Sequence, residues 1–102
     1  MKIYDKLVSD RIPEIIEASG KKCHIEVVSD EIALEYLYNK LNEEVSELLE
    51  DKNLDEICDC LEVLFAIGKK YGYSEKDLVD RRNEKKNSRG GFEKNIVLKK
   101  TY

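Results

Sequence analysis

Histidine occurs once, at His24, and cysteine three times, at Cys23, Cys58 and Cys60. A zinc site draws on several such side chains at set spacings, and this chain does not supply them. Three cysteines without regular spacing make no disulfide framework. Cys58 and Cys60 stand two apart in a helical stretch and point to different faces. We read all three as reduced thiols acting as small apolar residues. No apolar run approaches membrane-spanning length, and the first residues carry no signal-peptide pattern. A cytoplasmic location is the expectation. The chain also lacks an internal repeat, a low-complexity tract and a linker. It lacks a basic excess too: 22 acids against 18 bases leave a net charge of -4. That balance argues against a general nucleic-acid binder, whose footprint is basic.

What is present is charge, at 39% of residues, on a chain of 102. This length predicts one domain with a modest core. Association into a dimer or tetramer is the expected route to further buried surface.

Helical spacing dominates. Asp10 is placed to cap a first helix, with the lone proline, Pro13, in its first turn, Ile12, Ile15 and Ile16 as its stripe, and Gly20 closing it. Ser29 or Asp30 caps a longer helix striped by Leu34, Leu37, Leu41, Val45 and Leu48. Asp51-Lys52-Asn53 interrupts it. A third helix runs from Leu54 to about Tyr71. Leu54, Ile57, Leu61, Leu64, Phe65 and Gly68 line one face; Cys60, Val63 and Ile67 make a second, on the side that carries Glu56. Such a helix is buried on two sides, the second expected to meet another subunit. Ser74 and Asp77 form a capping box for a polar fourth helix, roughly 75–86. Lys22 to Val28 alternates with the period of a half-buried strand. Phe92 to Tyr102, centred on Ile96-Val97-Leu98, reads as a second strand. The expected fold is mainly α: a bundle of about four helices with a small β element from 22–28 and the C-terminal segment.

Two acidic pairs carry the chemistry. Glu44 and Glu47, with Glu43 beside them, fall on the second helix. Glu56 and Asp59 fall on the third. Residues three apart share a helix face. At 100° per residue Glu44 lies at the margin of the leucine stripe, and Glu56 and Asp59 flank Val63. A carboxylate at a packing seam wants a positive partner. Oxygen-rich clusters of this kind suit Mg2+ or Mn2+. The plain alternative is a solvated acidic surface, which any highly charged helical protein carries.

A basic stretch answers them. Arg82, Lys85 and Arg89 fall at spacings of three and four along one stripe of the fourth helix, and Arg and Lys are natural ligands of phosphate oxygens. Asn83 and Asn87 beside them can hydrogen-bond a base or sugar. Lys6 and Arg11 are further cation candidates near the start. Here the alternative is a solvated helix end favoured by the helix dipole.

Glu43-Glu44-x-x-Glu47 followed by Glu56-x-x-Asp59 resembles the signature of the MazG-like all-α nucleoside triphosphate pyrophosphohydrolases. Lys6-Leu7-Val8-Ser9-Asp10-Arg11-Ile12-Pro13-Glu14-Ile15-Ile16 and Arg89-Gly90-Gly91-Phe92-Glu93-Lys94 resemble a small house-cleaning subgroup of that superfamily. Ser9 stands where the subgroup often has arginine, and the eight residues between Glu47 and Glu56 make a shorter gap than in many members. The resemblance implies a helical bundle that dimerises or tetramerises. It implies hydrolysis of a nucleoside triphosphate, often a non-canonical one, to monophosphate and pyrophosphate. Carried over by position, Glu44, Glu47, Glu56 and Asp59 would be Mg2+ ligands, and Glu43 an acid behind them or an occasional ligand. Glu44 or Glu47 would accept the proton of the attacking water. Arg82, Lys85 and Arg89 would neutralise the leaving phosphates. Tyr36 and Tyr38 join the asparagines as candidates to contact the base. A helical module that keeps the bundle and has lost catalysis is the rival reading.

Overall fold

The computed structural model describes residues 1–102 and contains four helices. Helix α1 spans Ile12–Ala18, α2 Asp30–Asp51, α3 Leu54–Lys70 and α4 Glu75–Arg89. The architecture is mainly α. No helix is long and apolar enough to cross a membrane.

Local chemistry sets the boundaries. The Ser29 hydroxyl accepts from the Ile32 amide and starts α2. Lys52 adopts the left-handed conformation that stops it. The next residue, Asn53, accepts from the Glu56 amide and starts α3. One helix therefore ends and another begins within two residues, which folds α2 and α3 into a tight antiparallel hairpin. At α4 both bonds of the Ser74–Asp77 capping box form. Gly72, at φ +90°, makes the turn before it. Two boundaries differ from the sequence reading. Arg11, not Asp10, occupies the N-cap of α1, without a side-chain cap. Helix α4 continues three residues further, to Arg89.

The core is the α2–α3 seam. Leu37, Val63 and Ile67 are its buried centre, with Leu7, Leu34, Leu41 and Ala66 packed around them. The seam is pinned at the end away from the turn. Lys70 reaches Asp30 at 2.9 Å, and the Tyr38 and Tyr71 hydroxyls meet at 2.6 Å. The N-terminal segment lies along α2: Tyr36 donates to Asp5 at 2.9 Å and Lys6 to Glu43 at 3.0 Å. Helix α4 rests on α3 where Gly68 admits Leu78; a Cβ at Gly68 would come within 2.6 Å of the Leu78 Cδ1.

Two expectations are corrected. The side of α3 that packs within the chain is Cys60, Val63 and Ile67. Of the first face, Leu54, Ile57, Leu61 and Leu64 stay exposed, while Phe65 is half-buried and Gly68 is buried against Leu78 of α4. The Glu56 side wins the seam because it completes the leucine stripe of α2. Nor do 22–28 and 92–102 form strands. A strand needs a neighbour for its backbone amides and carbonyls, and neither segment finds one in the chain. Val27 and Phe92 are almost wholly exposed.

The chain accordingly buries little by itself. It exposes 9451 Å², where a compact monomer of its mass exposes about 5,900 Å². Its radius of gyration is 17.8 Å, against about 13 Å for a compact domain of this length.

Candidate metal centre

The hairpin brings acids from two helices to one level. Glu44 lies roughly 10 Å before the end of α2 and Asp59 roughly 8 Å beyond the start of α3. Glu44, Glu56 and Asp59 each offer a carboxylate oxygen, all within 4.8 Å of one another. Glu47, one turn along from Glu44 and half-buried, stands outside that trio. Of the four ligands expected from sequence, three are thus drawn together and the fourth is beside them.

Glu44 is the unusual member. It is 7% exposed, the one charged residue counted as buried. Its Oε2 has no partner, and neither has the buried Oε2 of Glu56. Burial raises the Glu44 carboxyl above the usual carboxylate range, and the neighbouring Glu47 adds to the shift. Loss of hydration also raises Glu56, with Glu47 and Asp59 pressing the same way. Cys60 is buried beside them; desolvation and then Glu44 push its thiol upward, away from the reactive thiolate. Glu56 gains a little from the positive end of α3, where it sits in the first turn.

Only two amines offset these charges. The Lys6 Nζ bonds Glu43 at 3.0 Å, which raises Lys6 and holds Glu43 below the usual carboxylate range. The Lys40 Nζ lies 3.6 Å from Glu44 Oε1 and 3.8 Å from Glu43 Oε2. Lys40 is missing from the sequence reading, although a lysine four residues before Glu44 and three before Glu43 is the spacing of helix ion pairs.

The other predicted residues lie elsewhere. Arg11 pairs with Glu14 at 3.3 Å. Arg82, Lys85, Arg89, Asn83 and Asn87 are exposed on α4. No ion pair joins that basic stripe to the acids; Arg81 pairs with Glu84 and Lys86 with Glu93. Arg82 borders an open groove of about 640 Å³ whose apolar lining includes Leu61, Leu64, Phe65, Leu78 and Val79. On the α3 wheel Leu61 and Leu64 lie about half a turn round from Asp59. Tyr36 and Tyr38 are engaged with Asp5 and Tyr71.

The acid trio fits a hard divalent cation. Its donors are all carboxylate oxygens, the set Mg2+ and Mn2+ take. Adjacent ligands of one Mg2+ stand about 3.0 Å apart and opposite ones about 4.2 Å, so closure asks up to about 2 Å of approach between oxygens, within reach of side-chain rotation. Compared with known proteins, the chain matches no family model, no curated protein and no solved structure.

Proposed function

We propose that this protein is a MazG-like nucleoside triphosphate pyrophosphohydrolase, cleaving between the α- and β-phosphates to release a monophosphate and pyrophosphate. One observation carries the reading: a buried Glu44 carboxylate, one oxygen without a partner and the other facing only Lys40 at 3.6 Å, beside Glu56 and Asp59 at a helix seam. Burying such a charge without compensation costs several kcal/mol, and solvated surface acids do not incur that penalty. The sequence blocks Lys6–Ile16 and Arg89–Lys94 support the same family.

Glu44, Glu56 and Asp59 would hold Mg2+ or Mn2+, leaving Glu47 beside them. When bound, the ion supplies charge neutralisation at the phosphates and a more acidic water. Glu47 accepts the proton of the attacking water, because it is half-exposed and outside the trio; Glu44 is the other candidate. Lys6, held by Glu43, is the predicted phosphate contact nearest the acids.

The stripe of Arg82, Lys85 and Arg89 belongs, in this reading, to a neighbouring subunit's centre. Within one chain Arg82 borders the face of α3 turned away from Asp59. A homo-oligomer is supported by the surplus of about 3,500 Å² over a compact monomer, well above the roughly 800 Å² each partner contributes to a standard interface. Asn83 and Asn87 would then reach the base or sugar from that subunit. Three free thiols fit a reducing cytoplasm.

A panel of canonical and modified nucleoside triphosphates with Mg2+ tests the activity. Glu44→Gln and Asp59→Asn are expected to abolish pyrophosphate release and keep the helical circular dichroism. Unchanged turnover in both removes the centre. The separation of the basic stripe from the acids favours one rival, a bundle that binds nucleotide and does not turn it over. Nucleotide binding without pyrophosphate release would select it.

A further inference from the structure

Lys40 has no role in the scheme above, yet it is the only ion-pair partner of Glu44. Its side chain is 19% exposed, and its ammonium lies between two carboxylates at 3.6 and 3.8 Å. Both distances exceed hydrogen-bond length, so the amine is held by charge without being locked in place. Lys6 differs: it donates a formed bond to Glu43 at 3.0 Å. One oxygen of Glu44 therefore faces an untethered amine, and the other is buried without a partner.

We propose that Lys40 is a counter-cation built into the acidic centre, which holds Glu44 in the ion-free protein and turns its amine to a phosphate oxygen when nucleotide is present. The proposal rests on the metal-centre reading above. Five carboxylates, from Glu43, Glu44, Glu47, Glu56 and Asp59, surround two amines, so the local charge is strongly negative. A divalent cation on Glu44 repels the ammonium beside it. A triphosphate brings several negative charges to the same place. The long, flexible lysine stem lets the ammonium exchange one partner for the other without moving α2. Lys40 thus opposes an ion arriving alone and favours one arriving with phosphates. A lysine that merely props Glu44 in position would assist both events.

The test is the sign of two effects of one substitution. The wild type, Lys40→Met, Lys40→Arg and Lys6→Met are titrated with Mn2+ alone, reading free Mn2+ by electron paramagnetic resonance. The same proteins are titrated by calorimetry with Mg2+–tripolyphosphate, a probe that needs no base. Lys40→Met is expected to bind Mn2+ about tenfold more tightly, the factor for a unit charge about 6 Å from a divalent ion in water-like surroundings. It is expected to bind tripolyphosphate at least about fivefold more weakly by the same measure. Lys40→Arg restores both, and Lys6→Met changes Mn2+ binding less than Lys40→Met does. Lys40→Gln serves where Lys40→Met does not fold. Weakening of both affinities, or an unchanged Mn2+ affinity, overturns the proposal and leaves the metal centre standing. A wild type that binds no Mn2+ overturns both.

Discussion

In the ion-free protein, Glu44→Gln should raise stability, although it should destroy activity. The reasoning starts from distances. Oxygens of Glu44, Glu56 and Asp59 lie within 4.8 Å. Each such pair of unit charges repels by ~1 kcal/mol in water and ~3 kcal/mol at the effective dielectric of a protein surface. The attraction of Lys40 at 3.6 Å cancels roughly one pair. The remaining repulsion, relieved by a neutral amide of the same shape, is on the order of 2 kcal/mol. For a chain this size that is a rise in Tm of roughly 10 °C. The assay is thermal circular dichroism in EDTA and in Mg2+, at one protein concentration. The expected result is a more stable mutant in EDTA and a gap that closes as Mg2+ stabilises the wild type alone. The gap also depends on pH. The folded-state pKa of Glu44 is raised, so its ionisation penalty is absent below the unfolded pKa and complete above the folded one. Wild type and mutant should therefore converge toward acid pH. Glu43 works in the opposite direction: its pKa is lowered, and the stability it adds is lost as pH falls through the folded value. A mutant no more stable than wild type in EDTA at neutral pH would refute the account of Glu44 as a charge that Lys40 only partly offsets.

Mixing subunits tests the assignment of α4. A Glu44→Gln chain and an Arg82→Ala/Lys85→Ala/Arg89→Ala chain should each be inactive alone and regain pyrophosphate release when co-refolded; no recovery would return the basic stripe to its own subunit. Ser74→Ala removes one bond of the capping box and should cost about 1 kcal/mol, seen as a lower urea midpoint at an unchanged slope.

The helices were legible because their ends are chemical. Ser29, Asn53 and Ser74 each accept an amide proton from the first turn that follows. The acids were legible by the same periodicity, which places Glu44 and Glu56 beside apolar stripes. The faces of α3 were harder. Both are apolar, and only the packing of Val63 and Ile67 on Leu37 decides between them. The alternation of 22–28 misled, because period-2 patterning states which side of a strand would be buried and does not supply a neighbour. Lys40 was overlooked for a different reason. An i,i+4 pair on a highly charged helix is ordinary, and it becomes informative only once its glutamate is found buried.

The clamp of Asp30 with Lys70 and Tyr38 with Tyr71 has a kinetic consequence. The hairpin is tied there and closed by the turn at Lys52–Asn53, with Leu37 packed on Val63 and Ile67 between, so its two rods resist scissoring apart. Adjusting the carboxylates to an ion is then left to torsions of the glutamate and aspartate stems. Such rotations take picoseconds to nanoseconds, whereas sliding whole helices takes microseconds or longer. Ion uptake by this frame should therefore proceed without a slow gating phase in a stopped-flow trace.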